Sequence, residues 1–158
     1  MTTRIGLGYD VHAFSADRPL VLGGIYIPDE YGLSGHSDAD AVLHAIVDAL
    51  LGAAALGDIG GHFPSSDERW KDQPSSVFLD YTYTLLQQQN WEIGNIDATI
   101  VAQRPRLAPY IQDMRAYLAE HLHLQLEQVS VKATTTDGLG FAGRREGVAC
   151  YAVALLEK

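Results

Sequence analysis

The residues from Gly147 to Leu156 form a nearly continuous apolar run. A strand that exposes one face to water alternates apolar and polar residues, whereas a strand covered on both faces reads as an unbroken apolar segment. The run therefore predicts a central strand, with neighbours on both sides. The fold has to be built around a sheet that holds this strand in its interior.

The other elements follow from hydrophobic periodicity and from turn residues. Strands are predicted over 4–12, 20–27, 91–101 and 129–133, and helices from Asp40 to about Leu56, over 75–89 and over 107–121. Gly23 and Gly24 suggest a bulge or turn inside the second strand, and irregular loops are expected over 57–64 and 134–145. The polar residues 65–74 are expected to be exposed.

Strands and helices alternate loosely, and at least one strand pair is joined without a helix. This order predicts an α+β fold, a single domain over residues 1–158 with one mixed β-sheet and helices packed on one face. The apolar residues of the other face would be buried by another subunit, so an oligomer is expected.

The first helix carries an apolar stripe at helical spacing. Its members are Leu43, Ile46, Val47, Leu50, Leu51 and Ala54. Alanine is frequent in this helix, which predicts close packing against the sheet.

Composition narrows the classes of function. The formal net charge of −9, without a Lys/Arg run, argues against nucleic acid as the main partner. No apolar run is long enough to span a membrane, so no membrane partner is expected. The single cysteine, Cys150, lies in the apolar run and is expected to be a core residue in a reducing compartment. The expected location is the cytoplasm, or a plastid if a transit segment has been removed.

Asp10 and His12 are the first candidate metal ligands. Residues two apart on a strand project from the same face, about 6–7 Å apart along the chain. His44, on the first helix, would be the third ligand, with Asp40 and Asp48 on the same helical line as support. Three protein ligands with an open position describe a catalytic zinc site, although iron or manganese would also fit. The alternative for His44 is a histidine at the edge of the core.

Two further clusters could bind phosphate. His36 and Ser37 precede the first helix, whose N-terminus favours anions; the alternative is a plain helix cap. Lys132 and the three threonines at 134–136 could donate to phosphate oxygens, with Asp137 as a metal ligand, or could simply cap a turn. Asp58 could accept from a substrate hydroxyl, and the strand end at 102–107 could contact a base.

Several motifs occur together in a fixed order. They are Gly-Tyr-Asp-Val-His at 8–12, Gly-His-Ser-Asp-Ala-Asp at 35–40 with His44, Ala-Leu-Gly-Asp-Ile-Gly at 55–60, Phe63-Pro64, Lys-Ala-Thr-Thr-Thr at 132–136 and Leu-Gly-Phe at 139–141. Together they resemble the 2-C-methyl-D-erythritol 2,4-cyclodiphosphate synthase family of the non-mevalonate isoprenoid pathway, over roughly residues 4–156.

The resemblance implies a homotrimer with active sites between subunits, and a phosphorus–oxygen lyase. Zinc would be held by Asp10, His12 and His44, and a second ion, magnesium or manganese, would bridge the diphosphate at Asp137. The substrate would be 4-diphosphocytidyl-2-C-methyl-D-erythritol 2-phosphate, whose 2-phosphate attacks its own β-phosphate with loss of CMP. A zinc-dependent phosphohydrolase and a non-catalytic nucleotide-binding trimer are the alternatives.

The resemblance also implies roles for individual residues. His36 and Thr135 would stabilise the transition state. The substrate would contact Asp10, Val11, His12, His36 and Ser37, and on the erythritol side Asp58, Ile59, Gly60, Phe63, Pro64, Ser65, Ser66 and Asp67. The cytidine diphosphate would contact Ala102, Gln103, Arg104, Pro105, Arg106, Leu107 and Ala108, with Lys132, Ala133, Thr134, Thr135, Thr136 and Asp137. Phe141 and Arg144 complete the set.

This chain differs from the family pattern in three places. Asp137 stands where the family usually has Glu, and one methylene less shortens its reach by about 1.3–1.5 Å. Ser65 and Ser66 replace a stretch that often contains an acid. Arg104 and Arg106 make the cytidine segment more basic.

Overall fold

A computed structural model describes residues 1–158. The strands are β1 (Thr3–Ser15), β2 (Leu20–Leu22), β3 (Ile25–Ile27), β4 (Gly32–Leu33), β5 (Glu92–Val101), β6 (Val129–Thr134) and β7 (Gly147–Glu157). The helices are α1 (Ala41–Ala53), α2 (Ile59–His62), α3 (Ser76–Gln88), α4 (Ile111–Leu122) and α5 (Gly140–Gly143), with short 3-10 helices at Glu68–Trp70, Ala108–Tyr110 and Leu126–Gln128.

Five strands form the main sheet in the order β4-β1-β7-β5-β6. The strand predicted to be central, β7, lies in the middle and pairs antiparallel with both β1 and β5. The β5–β6 pair is parallel, so the sheet is mixed as predicted. β2 and β3 form a separate hairpin whose turn is Gly23-Gly24, with φ values of 59° and 78° that glycine adopts without strain.

Helix α1 lies directly on β1 because the strand has glycines beneath it. A Cβ atom on Gly6 would lie 2.0 Å from the carbonyl oxygen of Ala49, and one on Gly8 would lie 1.8 Å from that of Ala45. Neither position can carry a side chain unless the helix moves away. The close packing predicted from the alanines of α1 is confirmed, and it brings residues of α1 within reach of β1 side chains.

The other face of the sheet is not covered. Ile5 and Leu7 of β1 are 72% and 68% exposed, although both are large and apolar. Tyr9, Val11, Tyr151 and Val153 continue this exposed apolar face. Contiguous apolar patches of this kind mark interaction surfaces more often than free surface.

Two expectations about the loops were wrong. Segments 57–64 and 134–145 contain the one-turn helices α2 and α5, and the side chain of Asp58 caps α2 by accepting from the Gly61 N–H at 2.8 Å. The expected exposure of segment 65–74 is confirmed for most of its residues, but Trp70 is half-buried and packs edge-on against Phe63, with ring centroids 5.2 Å apart. No helix combines the length and apolarity that crossing a bilayer requires.

Candidate metal centre and adjoining pocket

Asp10, His12 and His44 meet at one point between β1 and α1. Nε2 of His12 lies 2.7 Å from Oδ2 of Asp10, and Nδ1 of His44 lies 3.1 Å from the same oxygen. The two nitrogens are 3.2 Å apart. The structure therefore brings together the three residues predicted as metal ligands.

The outer nitrogen of each imidazole fixes which nitrogen faces the centre. Nδ1 of His12 is 2.8 Å from the Ser34 carbonyl, which only accepts, so this nitrogen carries the proton. Nε2 of His44 is 2.8 Å from Oγ of Ser75, whose own hydroxyl donates to Asp38. Ser75 must therefore accept from His44.

Both inward nitrogens are then left with lone pairs aimed at the carboxylate of Asp10. Three acceptors that converge without a donor are complementary to a divalent cation, and two imidazoles with one carboxylate suit zinc, iron or manganese. The residues present fit the metal that the sequence predicts.

The pKa values of Asp10 and His12 show that a proton can also satisfy these converging acceptors. Burial would raise the pKa of Asp10, but the hydrogen bonds that His12 and His44 donate when a second proton occupies their inward nitrogens outweigh it and lower the pKa to about 2. Burial would lower the pKa of His12, but the hydrogen bond to Asp10 and its charge raise it. A proton can therefore compete with a metal for this centre.

The expected support of His44 by Asp40 and Asp48 is wrong. Asp40 is fully buried and accepts from the N–H groups of Gly23, Gly24, Val42 and Leu43. Its burial, followed by the charge of Asp38, raises its pKa to about 6. Asp48 accepts from the Ile59 N–H at 2.7 Å. Both carboxylates satisfy backbone donors, and Ser75 with Asp38 supports His44 instead.

The N-terminus of α1 is not free to bind phosphate. Oδ1 of Asp40, the N-cap residue, accepts from the N–H groups of Val42 and Leu43 at 3.1 Å. Asp40 thus caps the helix, and the phosphate contacts of His36 and Ser37 stay predictions. Oγ of Ser37 lies 3.1 Å from Nε2 of His44, close to the metal centre.

A cavity of about 240 Å³ adjoins the two histidines. Its lining consists of His12, His36, Ser37, His44, Ile59, Gly60, Phe63, Ser65, Trp70 and Phe78. Sequence reasoning missed Trp70 and Phe78 as lining residues. Phe78 lay on a helical stripe that indicated only core, and a tryptophan within a polar segment was the one signal available for Trp70.

Other residues predicted on the erythritol side lie in or near the loop after α2. Pro64 and Ser66 are exposed. Asp67 pairs with Arg69, with Oδ2 and Nη2 2.6 Å apart, and hydrogen bonds from Arg69 lower the pKa of Asp67. Val11 differs from its neighbours because its side chain lies on the exposed apolar face, opposite the metal ligands.

The predicted cytidine segments meet each other but not the metal centre. Ala102 N–H donates to the Thr134 carbonyl at 3.0 Å, and Gly138 N–H donates to Oε1 of Gln103 at 3.3 Å. Asp10 is separated from Ala133 by a row through Cys150 and Ile100. Three strand spacings of roughly 4.8 Å make this separation about 14 Å.

Within these segments the side chains have local partners. Oγ1 of Thr135 is 3.4 Å from Oδ1 of Asp137, and Lys132 pairs with Asp97 at 2.7 Å. Arg144 pairs with Glu146 at 2.9 Å. Arg104, Arg106 and Phe141 are exposed, whereas Leu107 is buried. The proposed contacts of these residues with substrate stay predictions.

Comparison with known proteins identifies the family. The YgbB family model matches residues 3–157. The 2-C-methyl-D-erythritol 2,4-cyclodiphosphate synthase of Syntrophomonas wolfei is 58% identical over 155 residues, which cover 98% of this chain and 99% of that protein.

Two solved structures share the fold. The bifunctional IspDF of Campylobacter jejuni matches with a TM-score of 0.94 and 41% identity, over 98% of this chain and 42% of that chain. Plasmodium falciparum IspF in its CDP complex matches with a TM-score of 0.86 and 35% identity, over 98% of this chain and 95% of that chain. The chain therefore belongs to the YgbB family, and the curated relatives that it matches are 2-C-methyl-D-erythritol 2,4-cyclodiphosphate synthases.

Proposed function

We propose that this protein converts 4-diphosphocytidyl-2-C-methyl-D-erythritol 2-phosphate to 2-C-methyl-D-erythritol 2,4-cyclodiphosphate and CMP. An oxygen of the 2-phosphate forms a bond to the β-phosphorus, and the bond from that phosphorus to the α–β bridging oxygen breaks. CMP leaves with the electron pair. The observation that carries the proposal is the convergence of Asp10, His12 and His44 beside a cavity, in a chain of this family.

Asp10, His12 and His44 would hold a divalent ion, and their two nitrogens and one oxygen favour zinc. When bound, such an ion polarises the phosphate under attack and stabilises its charge. Asp137 would hold a second ion, magnesium or manganese, on the diphosphate. Its carboxylate is on the exposed loop after β6, where oxygen ligands suit these ions.

The protein's own residues act by positioning and by hydrogen bonding, which carry most of the catalysis in phosphoryl transfer. His36 lies in the cavity wall and would donate to a phosphate oxygen in the transition state. Thr135 would donate from the cytidine side. Ile59, Gly60, Phe63 and Ser65 line the cavity where the erythritol would lie, and Phe63 would help to exclude water.

A homotrimer with active sites between subunits accounts for the separation of the two halves of the site. Asp10 lies about 14 Å from Ala133, in the 132–137 segment, across the sheet of one chain. A neighbouring subunit could supply the second half. The exposed apolar face, led by Ile5 and Leu7, supports burial against such neighbours.

Product analysis tests the function. Purified protein with zinc and magnesium should release CMP and the cyclic diphosphate in equal amounts. Free phosphate without cyclic product would favour the phosphohydrolase, and binding of CDP without turnover would favour the non-catalytic module. Sedimentation equilibrium on the same sample checks the trimer, since a monomer that turns over at full rate would refute the intersubunit site.

A further inference from the structure

Arg18, in the loop between β1 and β2, donates hydrogen bonds to the backbone on both sides of His36. Its Nη1 donates to the Gly35 carbonyl and its Nη2 donates to the Ser37 carbonyl. Arg18 does not line the cavity. It therefore acts on the backbone of this segment rather than on a ligand in the cavity.

The segment that Arg18 holds touches both histidines of the metal centre. The Ser34 carbonyl accepts from Nδ1 of His12 at 2.8 Å, and Oγ of Ser37 is 3.1 Å from Nε2 of His44. A Cβ atom on Gly35 would lie 3.1 Å from the His12 ring. A small movement of the segment would therefore reorient both imidazoles.

The hydrogen bonds from Arg18 also orient the backbone N–H groups of the 35–37 segment. The carbonyl and the N–H of a trans peptide point in opposite directions. When Arg18 holds the Gly35 carbonyl, the N–H of His36 is turned away from the guanidinium. The His36 carbonyl is held in turn by the Asp72 N–H at 2.8 Å. The N–H groups of Gly35, His36 and Ser37 donate to no protein acceptor and stay free.

We infer that Arg18 is a positioning residue, which fixes the 34–37 segment so that His12 and His44 are oriented toward the metal and His36 toward the cavity. The rigid fork of the guanidinium can bridge two carbonyls, whereas the single ammonium of a lysine holds such a pair less well. The effect on turnover rests on the proposed function. The effect on metal binding does not.

Arg115 offers a matched control. Its Nε donates to the Val129 carbonyl at 2.7 Å and its Nη2 donates to the Leu126 carbonyl at 3.0 Å. It thus makes the same kind of two-carbonyl contact, but on α4 and with no contact to the metal centre. Replacing it measures the loss of such a contact as a purely structural element.

The experiment compares Arg18→Ala, Arg18→Lys and Arg115→Ala with the parent protein. Zinc affinity is measured by competition with a chromophoric chelator, and ligand geometry by the visible absorption of the cobalt(II)-substituted protein. Arg18→Ala should weaken zinc binding about 10-fold or more and alter the cobalt spectrum, as loss of support for metal ligands does. Arg18→Lys should be intermediate, and Arg115→Ala should match the parent in both readouts.

Equal zinc affinity and equal cobalt spectra in Arg18→Ala and Arg115→Ala would overturn the inference. If Arg18→Ala does not fold, Arg18→Lys decides, and parent-like zinc affinity there would refute the role of the fork. Millimolar guanidinium should partly restore zinc affinity to Arg18→Ala but leave Arg115→Ala unchanged. If the parent protein binds zinc but makes no cyclic product, the proposed function fails while the metal-binding test still stands.

Discussion

Oγ of Ser75 lies 2.8 Å from Nε2 of His44, on the side of the ring that faces away from Asp10. The serine is fully buried, and its hydroxyl donates to the carboxylate of Asp38. The carboxylate of Asp38 thus acts, through the Ser75 hydroxyl, on a residue predicted to bind the metal. Ser75 directly precedes α3, yet its side chain accepts no hydrogen bond from an N–H group of that helix. Its Oγ accepts from His44 instead.

Ser75→Ala should therefore weaken the metal centre. The imidazole of His44 would keep only the 3.1 Å contact with Ser37, so its orientation and basicity would be less well defined. We expect zinc affinity to fall about 10-fold. Chelator competition measures it, with Ser76→Ala on the next residue as control. Parent-like affinity in Ser75→Ala would show that Ser37 alone orients the ring.

Loss of a ligand itself should be more severe. His44→Ala leaves Asp10 and His12 as two ligands, which do not make a stable site. We expect the purified variant to lose zinc and turnover but to keep the oligomeric state of the parent, because His44 faces the interior of the chain and not its exposed apolar face. Metal analysis and sedimentation measure both. Full turnover by metal-free His44→Ala would refute the metal assignment.

Gly8→Ala should disturb the same centre from the opposite side. The added methyl group would overlap the Ala45 carbonyl and push α1, with His44, away from β1. Overpacking of this kind lowers the free energy of unfolding by about 1–3 kcal/mol, and zinc affinity should fall with it.

Gly52→Ala is the matched control for this change. A Cβ atom there meets nothing within 4 Å, and alanine favours helix by about 0.5–1 kcal/mol. Urea unfolding should therefore move in opposite directions for the two variants. A Gly8→Ala protein as stable as the parent would show that the helix can shift without loss.

Asp137→Glu tests the second metal. The longer side chain should preserve or improve magnesium affinity, since it restores the reach usual in the family. Asp137 has a φ of 53°, a left-handed conformation in which Asp is favoured over longer residues, so stability should fall slightly. Magnesium dependence of turnover measures the affinity. A large loss of affinity would show that the loop is built for the shorter side chain.

The buried thiol of Cys150 should make the free energy of unfolding depend on pH in the alkaline range. Burial, followed by the charges of Asp40 and Asp10, raises the pKa of its thiol above the ordinary value of 9.0. The folded chain keeps the proton that the unfolded chain releases above pH 9, so the free energy of unfolding falls as pH rises, by up to about 1.4 kcal/mol per pH unit.

The Cys150→Ala variant has no thiol to ionise, so it lacks this decrease in the free energy of unfolding at alkaline pH. Urea unfolding of both proteins at pH 8, 9 and 10 should show the parent losing stability faster than the variant above pH 9. Parallel curves would contradict the raised pKa. Native protein should also resist thiol alkylation at pH 8, whereas unfolded protein should react.

The periodicity of the sequence predicted much of the fold and of the candidate metal centre. Asp10 and His12 share a strand face because side chains alternate, and the stripe on α1 placed that helix on the sheet. Spacing could not reveal that Asp40 and Asp48 would bind backbone N–H groups rather than His44. The contact between Ser75 and His44 joins residues 31 apart, and it depends on how α3 docks against α1. One-turn helices such as α2 are too short to have a periodic signal.

Strand β1 serves two surfaces that never share a residue. Odd-numbered positions from Ile5 to Val11 form the exposed apolar face, and Asp10 and His12 point toward α1. Inserting or deleting one residue before Asp10 would exchange the two sets, turning carboxylate and imidazole outward and apolar groups toward the metal centre. Single substitutions on one face of β1 therefore leave the other face unchanged. An insertion or deletion of one residue between Ile5 and His12 would disrupt both faces.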